Sequence, residues 1–141
     1  LTKASGLTTS VTVDNAAGAG KDISNDITSF NVSTPRGVQD ITGLDKSAVE
    51  RILLRADGNI SMTGVYNAST ADKSHDVFKS IPTQSGTGTG ATRTVVIVYP
   101  GTKTLTMECV LTDYQVSMGA DGSLTWTVPG QLADGTAPTW S

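Results

Sequence analysis

At 141 residues the chain is the length of one domain, and such a chain buries roughly 68–70% of its unfolded surface, enough for a core without staples. The net charge of −3 argues against nucleic-acid binding, which needs clustered Lys and Arg, and a single cysteine excludes both an internal disulfide framework and a cysteine-based zinc site. No run approaches the ~18 apolar residues of a membrane span. Charged residues make up 16% of the chain, against about 25% in an ordinary soluble domain, and Thr, Ser, Gly and Ala fill the gap. A polar, weakly charged outside suits a β protein covered by neighbours, and equally a secreted β domain.

Leu1-Thr2-Lys3 leads into a Ser/Thr-rich stretch without an apolar core, so no signal peptide is expected. The chain starts without Met, which leaves a processed leader open. Leu7 to Val13 reads as a first strand, with Val11 and Val13 on one face. Asp14 to Gly20 is a turn or small loop, its glycines supplying backbone freedom. Thr28 to Thr34 alternates Phe30 and Val32 against Ser29, Asn31 and Ser33, and Pro35-Arg36-Gly37 closes it, because proline cannot donate to a ladder.

The stretch Asp40 to Asn67 organises the middle of the chain. Ala48, Val49, Ile52, Leu53, Leu54 and Ala56 suit either a short helix or a buried strand, and periodicity does not choose. Asp57-Gly58 signals a tight turn, and Ile60 and Met62 then alternate with Ser61 and Thr63 as on a half-buried strand. One helix is predicted over Ser69 to Ile81. Ala71, His75, Phe78 and Ile81 share its face, Ser69 or Thr70 caps it, Asp72 lies in the first turn and Pro82 follows the end. Gln84 to Thr92 is a Gly/Thr run expected to be mobile.

Val95 to Tyr99 is the most buried-looking strand. Pro100-Gly101 turns it into Thr104 to Leu111, where Leu105, Met107, Cys109 and Leu111 share a face. After Asp113 the apolar phase flips to Tyr114, Val116 and Met118, which a bulge or a switch between sheets near Thr112-Asp113 would explain. Asp121-Gly122 turns into Leu124 to Val128, Pro129 ends that strand, and Gln131 to Ser141 reads as a polar tail. Short strands, one helix and Gly-rich turns add up to a mainly β fold: an antiparallel sandwich or barrel with one flanking helix, formed by residues 1–141 as a single domain.

Chemistry-bearing patterns all have plainer readings. Gly86-Thr87-Gly88-Thr89-Gly90 imitates a phosphate loop, but such loops need a strand before and a helix directly after, and here a strand follows. His75 has no partner at ligand spacing and reads as half-packed on the helix. Cys109 sits on an apolar strand face and reads as a core thiol. The aspartates cluster at turns, where they bond their own backbone, and no two stand out as a catalytic pair. Asn31, Asn59 and Asn67 form sequons that matter only in a eukaryotic secretory chain. No catalytic residue, cofactor site or metal site is expected, and a binding or structural role is left.

The order of landmarks resembles the major tail tube proteins of long-tailed bacteriophages. The run Val11-Thr12-Val13-Asp14, then Gly20-Lys21-Asp22-Ile23-Ser24, looks like that family's opening strand, turn and start of its second strand. Asp40-Ile41-Thr42-Gly43-Leu44-Asp45 and Asp57-Gly58-Asn59-Ile60-Ser61-Met62-Thr63-Gly64 are similar to its Asp-Val-Thr-Gly and Asp-Gly-x-Ile-x-Leu-x-Gly segments. His75-Asp76-Val77-Phe78, Tyr99-Pro100-Gly101 and Gly122-Ser123-Leu124 follow in the same order. The departures are the insertion Gln84 to Thr92 and the tail after Pro129.

The resemblance implies a structural virion protein whose subunits close into hexameric rings that stack into a hollow tube. DNA would pass through without specific binding, and tape-measure, tail-tip and terminator proteins would be partners, with no membrane involved. The protein would reside in the virion and, during assembly, in the host cytoplasm. An inner-tube protein of a contractile tail or type VI-like system is the alternative within that class. A monomeric β-sandwich adhesion or carbohydrate-binding module is the alternative outside it, although aromatics are only 5%. Because a basic channel would hold DNA, the lumen candidates are polar or acidic: Asp26, Ser29, Asn31, Ser33 and Asp40, with Thr106 and Glu108 behind them. A net negative inner wall with Asp26 or Asp40 contributing is expected. The inter-subunit candidates are Thr87 and Thr89 in the Gly/Thr loop, with Gln131 and Trp140 in the tail, and the loop Gln84 to Thr92 or the tail from Pro129 is expected to order only between subunits.

Overall fold

The computed structural model describes residues 3–69 and 71–141. Alternation of β-branched with small polar residues gives β1 (Ser10–Asp14), β3 (Ile27–Ser33), β6 (Asn59–Val65), β7 (Arg93–Tyr99), β8 (Lys103–Leu111) and β10 (Leu124–Leu132), each with one face inward. Shorter strands are β2 (Gly20–Asp22), β9 (Gln115–Met118) and β11 (Thr139–Trp140), and β4 (Arg36–Asp40) with β5 (Arg51–Ala56) forms a ribbon of its own. The main sheet has nine antiparallel strands in the order β2-β1-β7-β8-β10-β6-β3, with β11 alongside β8 and β9 alongside β10.

The sheet turns at β10, which changes partner along its length. Leu124 to Thr127 pair with β9, whereas Gly130 to Leu132 pair with the end of β8. Pro129 falls between those two ladders, so its missing N–H breaks neither, and the strand runs on through it to Leu132. The tail predicted after Pro129 is therefore partly sheet, since β11 places Thr139 and Trp140 opposite Thr106 and Leu105. The inner faces of β1, β7 and β8 meet those of β6 and β10 in one core that holds Val13, Ile97, Met107, Met62, Val128 and Trp126. Each such side chain contributes about 1.5–3 kcal/mol by leaving water. Trp126 packs flat over Gly64, where a Cβ would collide with its ring and with the Asp26 carbonyl. Its indole N–H donates to the Val65 carbonyl at 3.0 Å.

The helix is shorter than its periodicity suggests. α1 spans only Ser74–Phe78, and a 3-10 turn follows at Ile81–Thr83. Asp72 adopts a positive φ of 74°, which ends any helical path from Ser69, and Ser69 donates its hydroxyl to Asn67 Oδ1 instead of capping. The capping role assigned to Thr70 lies outside the described residues. The apolar face survives the shortening: Val77 and Phe78 are buried, and the Phe78 ring lies 5.0 Å from that of Trp126.

Two turns form as read: Gly101 (φ 79°) joins β7 to β8, and Gly122 (φ 88°) joins β9 to β10. Asp57-Gly58 does not. It links the outlying ribbon to β6, two elements that do not pair with each other. The phase flip after Asp113 is a true strand break, because the chain leaves β8 at Leu111 and resumes as β9 on β10.

Candidate functional site

The most unusual surface is the ribbon β4–β5. Ser33 pairs with Asn59 on the main sheet, and Arg36 pairs with Ala56 just beyond it, so β3–β4 and β5–β6 form one long hairpin kinked at Pro35 and Asp57. Asp57 N–H donates to the Pro35 carbonyl at 2.9 Å across the kink. The five residues of β4 carry the arm ~17 Å past the sheet edge.

Along the arm, Val38 lies opposite Leu53 and Gln39 opposite Ile52, so neighbouring pairs turn apolar groups to opposite sides of the ribbon. Seven of the twelve large exposed hydrophobics among the described residues lie between Val38 and Leu54. The expectation of a buried strand or helix there is half corrected: β5 is a strand, but Leu53 is 62% exposed because β5 pairs only with β4 in a two-stranded ribbon outside the main sheet. An isolated two-stranded ribbon is marginal in water. The arm also holds Arg36, Arg51 and Arg55, three of the four arginines in the chain.

The second surface is the outer face of β3, β6, β10 and β9. Register aligns Ser29, Thr63, Thr127 and Gln115 across all four strands. Beside that row, Asn31 and Ser61 lie next to Pro129, and Ser33 and Asn59 lie next to Gln131. At the other end Val65 neighbours Thr125 and Ser117. No position in these rows carries a formal charge. Both margins have open backbone: β3 pairs only with β6, and β9 only with β10. On its other side β9 bares Val116 and Met118, which sit in register with Trp126 and Leu124 but project past the core.

The lumen candidates separate accordingly. Ser29, Asn31 and Ser33 share the uncharged face. Asp26, by contrast, is only 4% exposed, accepting from Asn67 Nδ2 and from the Ser74 amide at 2.9 Å each, so its carboxylate is spent inside the subunit and is not on that face. Asp40 lies on the arm opposite Arg51, its carboxyl held below the usual range by hydrogen bonds from Thr42. Thr106 and Glu108 lie on β8, whose outer side looks away from the uncharged face because the two halves share their inner sides. Glu108 accepts from the hydroxyls of Thr92 (2.8 Å) and Thr94 (2.6 Å).

Among the inter-subunit candidates, Thr87 and Thr89 are exposed in the Gly/Thr loop. The base of that loop is tied down, since Gln84 Nε2 donates to the Thr89 carbonyl at 3.2 Å and Gly90 packs against Ala16. Gln131 belongs to the uncharged face. Trp140 is 55% exposed and stacks on Tyr99 with ring centres 5.5 Å apart.

The isolated chemistry-bearing side chains are packed against neighbours in the fold. His75 Nδ1 lies 3.1 Å from the Tyr114 hydroxyl, with the Tyr66 ring on its other side. Burial pushes the Cys109 thiol up to about 11 and the Tyr114 phenol up to about 12. Among the described residues no three His, Cys, Asp or Glu side chains are grouped to hold a metal ion. Sequence reasoning missed Arg93. Its buried guanidinium donates to the Val77 carbonyl and to Ser80 Oγ at 2.8 Å, clamping α1 to the first residue of β7. A charge opening an apolar strand was the available signal. It missed the arm too, because exposure of an apolar run is not written in the run.

By sequence the chain matches no family model and no curated protein. Its fold, however, matches solved structures over the full length. A chain from the tail of an empty gene transfer agent particle, refined helically with C6 symmetry, superposes with a TM-score of 0.75 at 14% identity, covering 99% of each chain. A chain from the virion of the native gene transfer agent gives 0.71 at 15% identity, again with 99% of each chain covered. A chain from the six-fold symmetrised baseplate of the anti-feeding prophage gives 0.66 at 15% identity, covering 100% of this chain and 97% of that one. The mainly β fold is thus one used by subunits of six-fold tail and baseplate assemblies.

Proposed function

We propose that the protein is a tail tube subunit: copies close into hexameric rings, and the rings stack into a hollow tube that conducts DNA. The observation that carries this reading is the full-length likeness to a chain of a C6 tail. The surfaces support it. Two open sheet margins invite edge-to-edge pairing with further copies, and closure of a ring removes those edges. The apolar arm gains cover from a neighbouring copy. The role is structural and not catalytic, in a virion tail assembled in the host cytoplasm, with tape-measure, tail-tip and terminator proteins as the other partners.

Placement in the inner tube or baseplate of a contractile tail is the second reading, favoured by the baseplate neighbour. A monomeric adhesion module fits less well, since it would leave seven large apolar side chains of the arm in water.

Sedimentation over a rising concentration series, with negative-stain images of the same samples, tests the proposal. Rings and tubes are expected. A stable monomer at the highest concentrations, with no rings on the grid, would overturn it.

A further inference from the structure

We infer that the channel wall of the assembled tube is the outer face of β3, β6, β9 and β10, and that a polyanion passes over it without being held or repelled by side-chain charge. The inference rests on the tube reading and adds which face turns inward and what that face is made of. Among the outward strand faces described, it alone joins four neighbouring strands with no ionisable side chain. The opposite half carries Asp14, Asp22 and Glu108, and the arginines lie on the arm or, as Arg93, inside.

A free subunit would gain solubility from charges on so broad an exposed face. Hydroxyl and amide groups instead keep it wetted while offering phosphates no counter-ion to exchange. DNA presents one negative charge per ~1.7 Å of its axis, and each Lys or Arg contact adds affinity by counterion release. A single basic position here would recur around every ring, so the absence of one bears on passage. The open margins at β3 and β9 border this same face, so a sheet continued through both of them carries the face around as one wall.

Cysteine labelling reads the orientation, because native Cys109 is buried and stays silent. Ser61→Cys and Thr125→Cys report the wall, on two different strands should one of them impair assembly, and Asp22→Cys reports the opposite half. In tubes verified by microscopy, the wall cysteines are expected to react with a small maleimide but to lose reaction with a maleimide carried on a globular protein. Asp22→Cys should react with both. Free subunits should label at all three positions with either reagent. Wall cysteines that take the protein-borne reagent in tubes, or that refuse the small one, overturn the inference while leaving the tube reading intact.

The charge claim is tested with short duplex DNA co-sedimented with tubes. Parent tubes should retain none, and Ser61→Lys or Thr125→Lys tubes should retain it in a salt-dependent way. Salt-dependent retention by parent tubes overturns the uncharged wall. Failure of the parent protein to form tubes overturns the function itself.

Discussion

Asp26 accepts hydrogen bonds from Asn67 and Ser74, donors 41 and 48 residues further along the chain. The Ser74 amide is a first-turn donor of α1 and is buried, so the carboxylate supplies the cap that no neighbouring side chain provides. Asp26→Ala leaves that donor unpaired and should cost about 2–3 kcal/mol in urea unfolding, with Asp26→Asn recovering part of it. Cys109 gives a pH signature. Its thiol pKa is raised from 9.0 to about 11, mainly by burial and further by Glu108, so above pH 9 the unfolded chain releases a proton that the folded one keeps. Stability is unaffected by this group below pH 9 and falls between 9 and about 11, by on the order of 1–2 kcal/mol. In Cys109→Ala that component of the alkaline loss should vanish, so the two stability curves converge across the window. Parallel curves would show that the thiol titrates normally.

At the scale of elements, the arm and the core strands are built from the same residue types and differ in what covers them. Leu53→Asp on the arm should leave subunit stability within about 0.5 kcal/mol, because Leu53 is mostly exposed and meets only its cross-strand partner Val38, yet should abolish assembly. Met62→Ala on β6, at 0% exposure, should instead cost about 2–5 kcal/mol through lost burial and the cavity left behind. Denaturant titration and sedimentation of both variants check the contrast. Equal destabilisation would mean that the arm folds back onto its own subunit. The sequence marked residues 48–56 as apolar but carried no sign of which partner they meet. α1 was legible as an apolar face around Phe78, while its short length came from Asp72 turning left-handed and from a carboxylate distant in sequence.

For the whole molecule, every main strand feeds one apolar cluster, so we expect residues 1–141 to unfold as a single cooperative unit. In a Trp140→Phe background, the fluorescence of Trp126 and the far-ultraviolet strand signal should be lost at one urea midpoint. Two separated midpoints would divide the chain into independent parts. The loop around Thr87 and Thr89 is exposed on the free subunit. Protease cleavage between 85 and 89 should therefore be fast in subunits and slow in tubes if the loop is covered there, and equal rates would remove it from the ring contacts.

Alternation with period two was enough to place β1, β3, β6, β7, β8 and the first part of β10 with their inward faces, and the Pro-Gly and Asp-Gly signals placed the turns at Gly101 and Gly122, because these depend on local sterics and on burying one side of each strand. The ordered landmarks from Val11 to Leu124 pointed to the fold that the gene transfer agent tail chain shares. Which polar residues lie together was not local information. Ser29, Thr63, Thr127 and Gln115 are far apart in sequence and become one row only through the register of three strand pairings. Burial of Asp26 and exposure of Leu53 were likewise settled by tertiary contacts. A carboxylate is buried where two distant donors meet it, and an apolar strand stays bare where the chain runs out of partners.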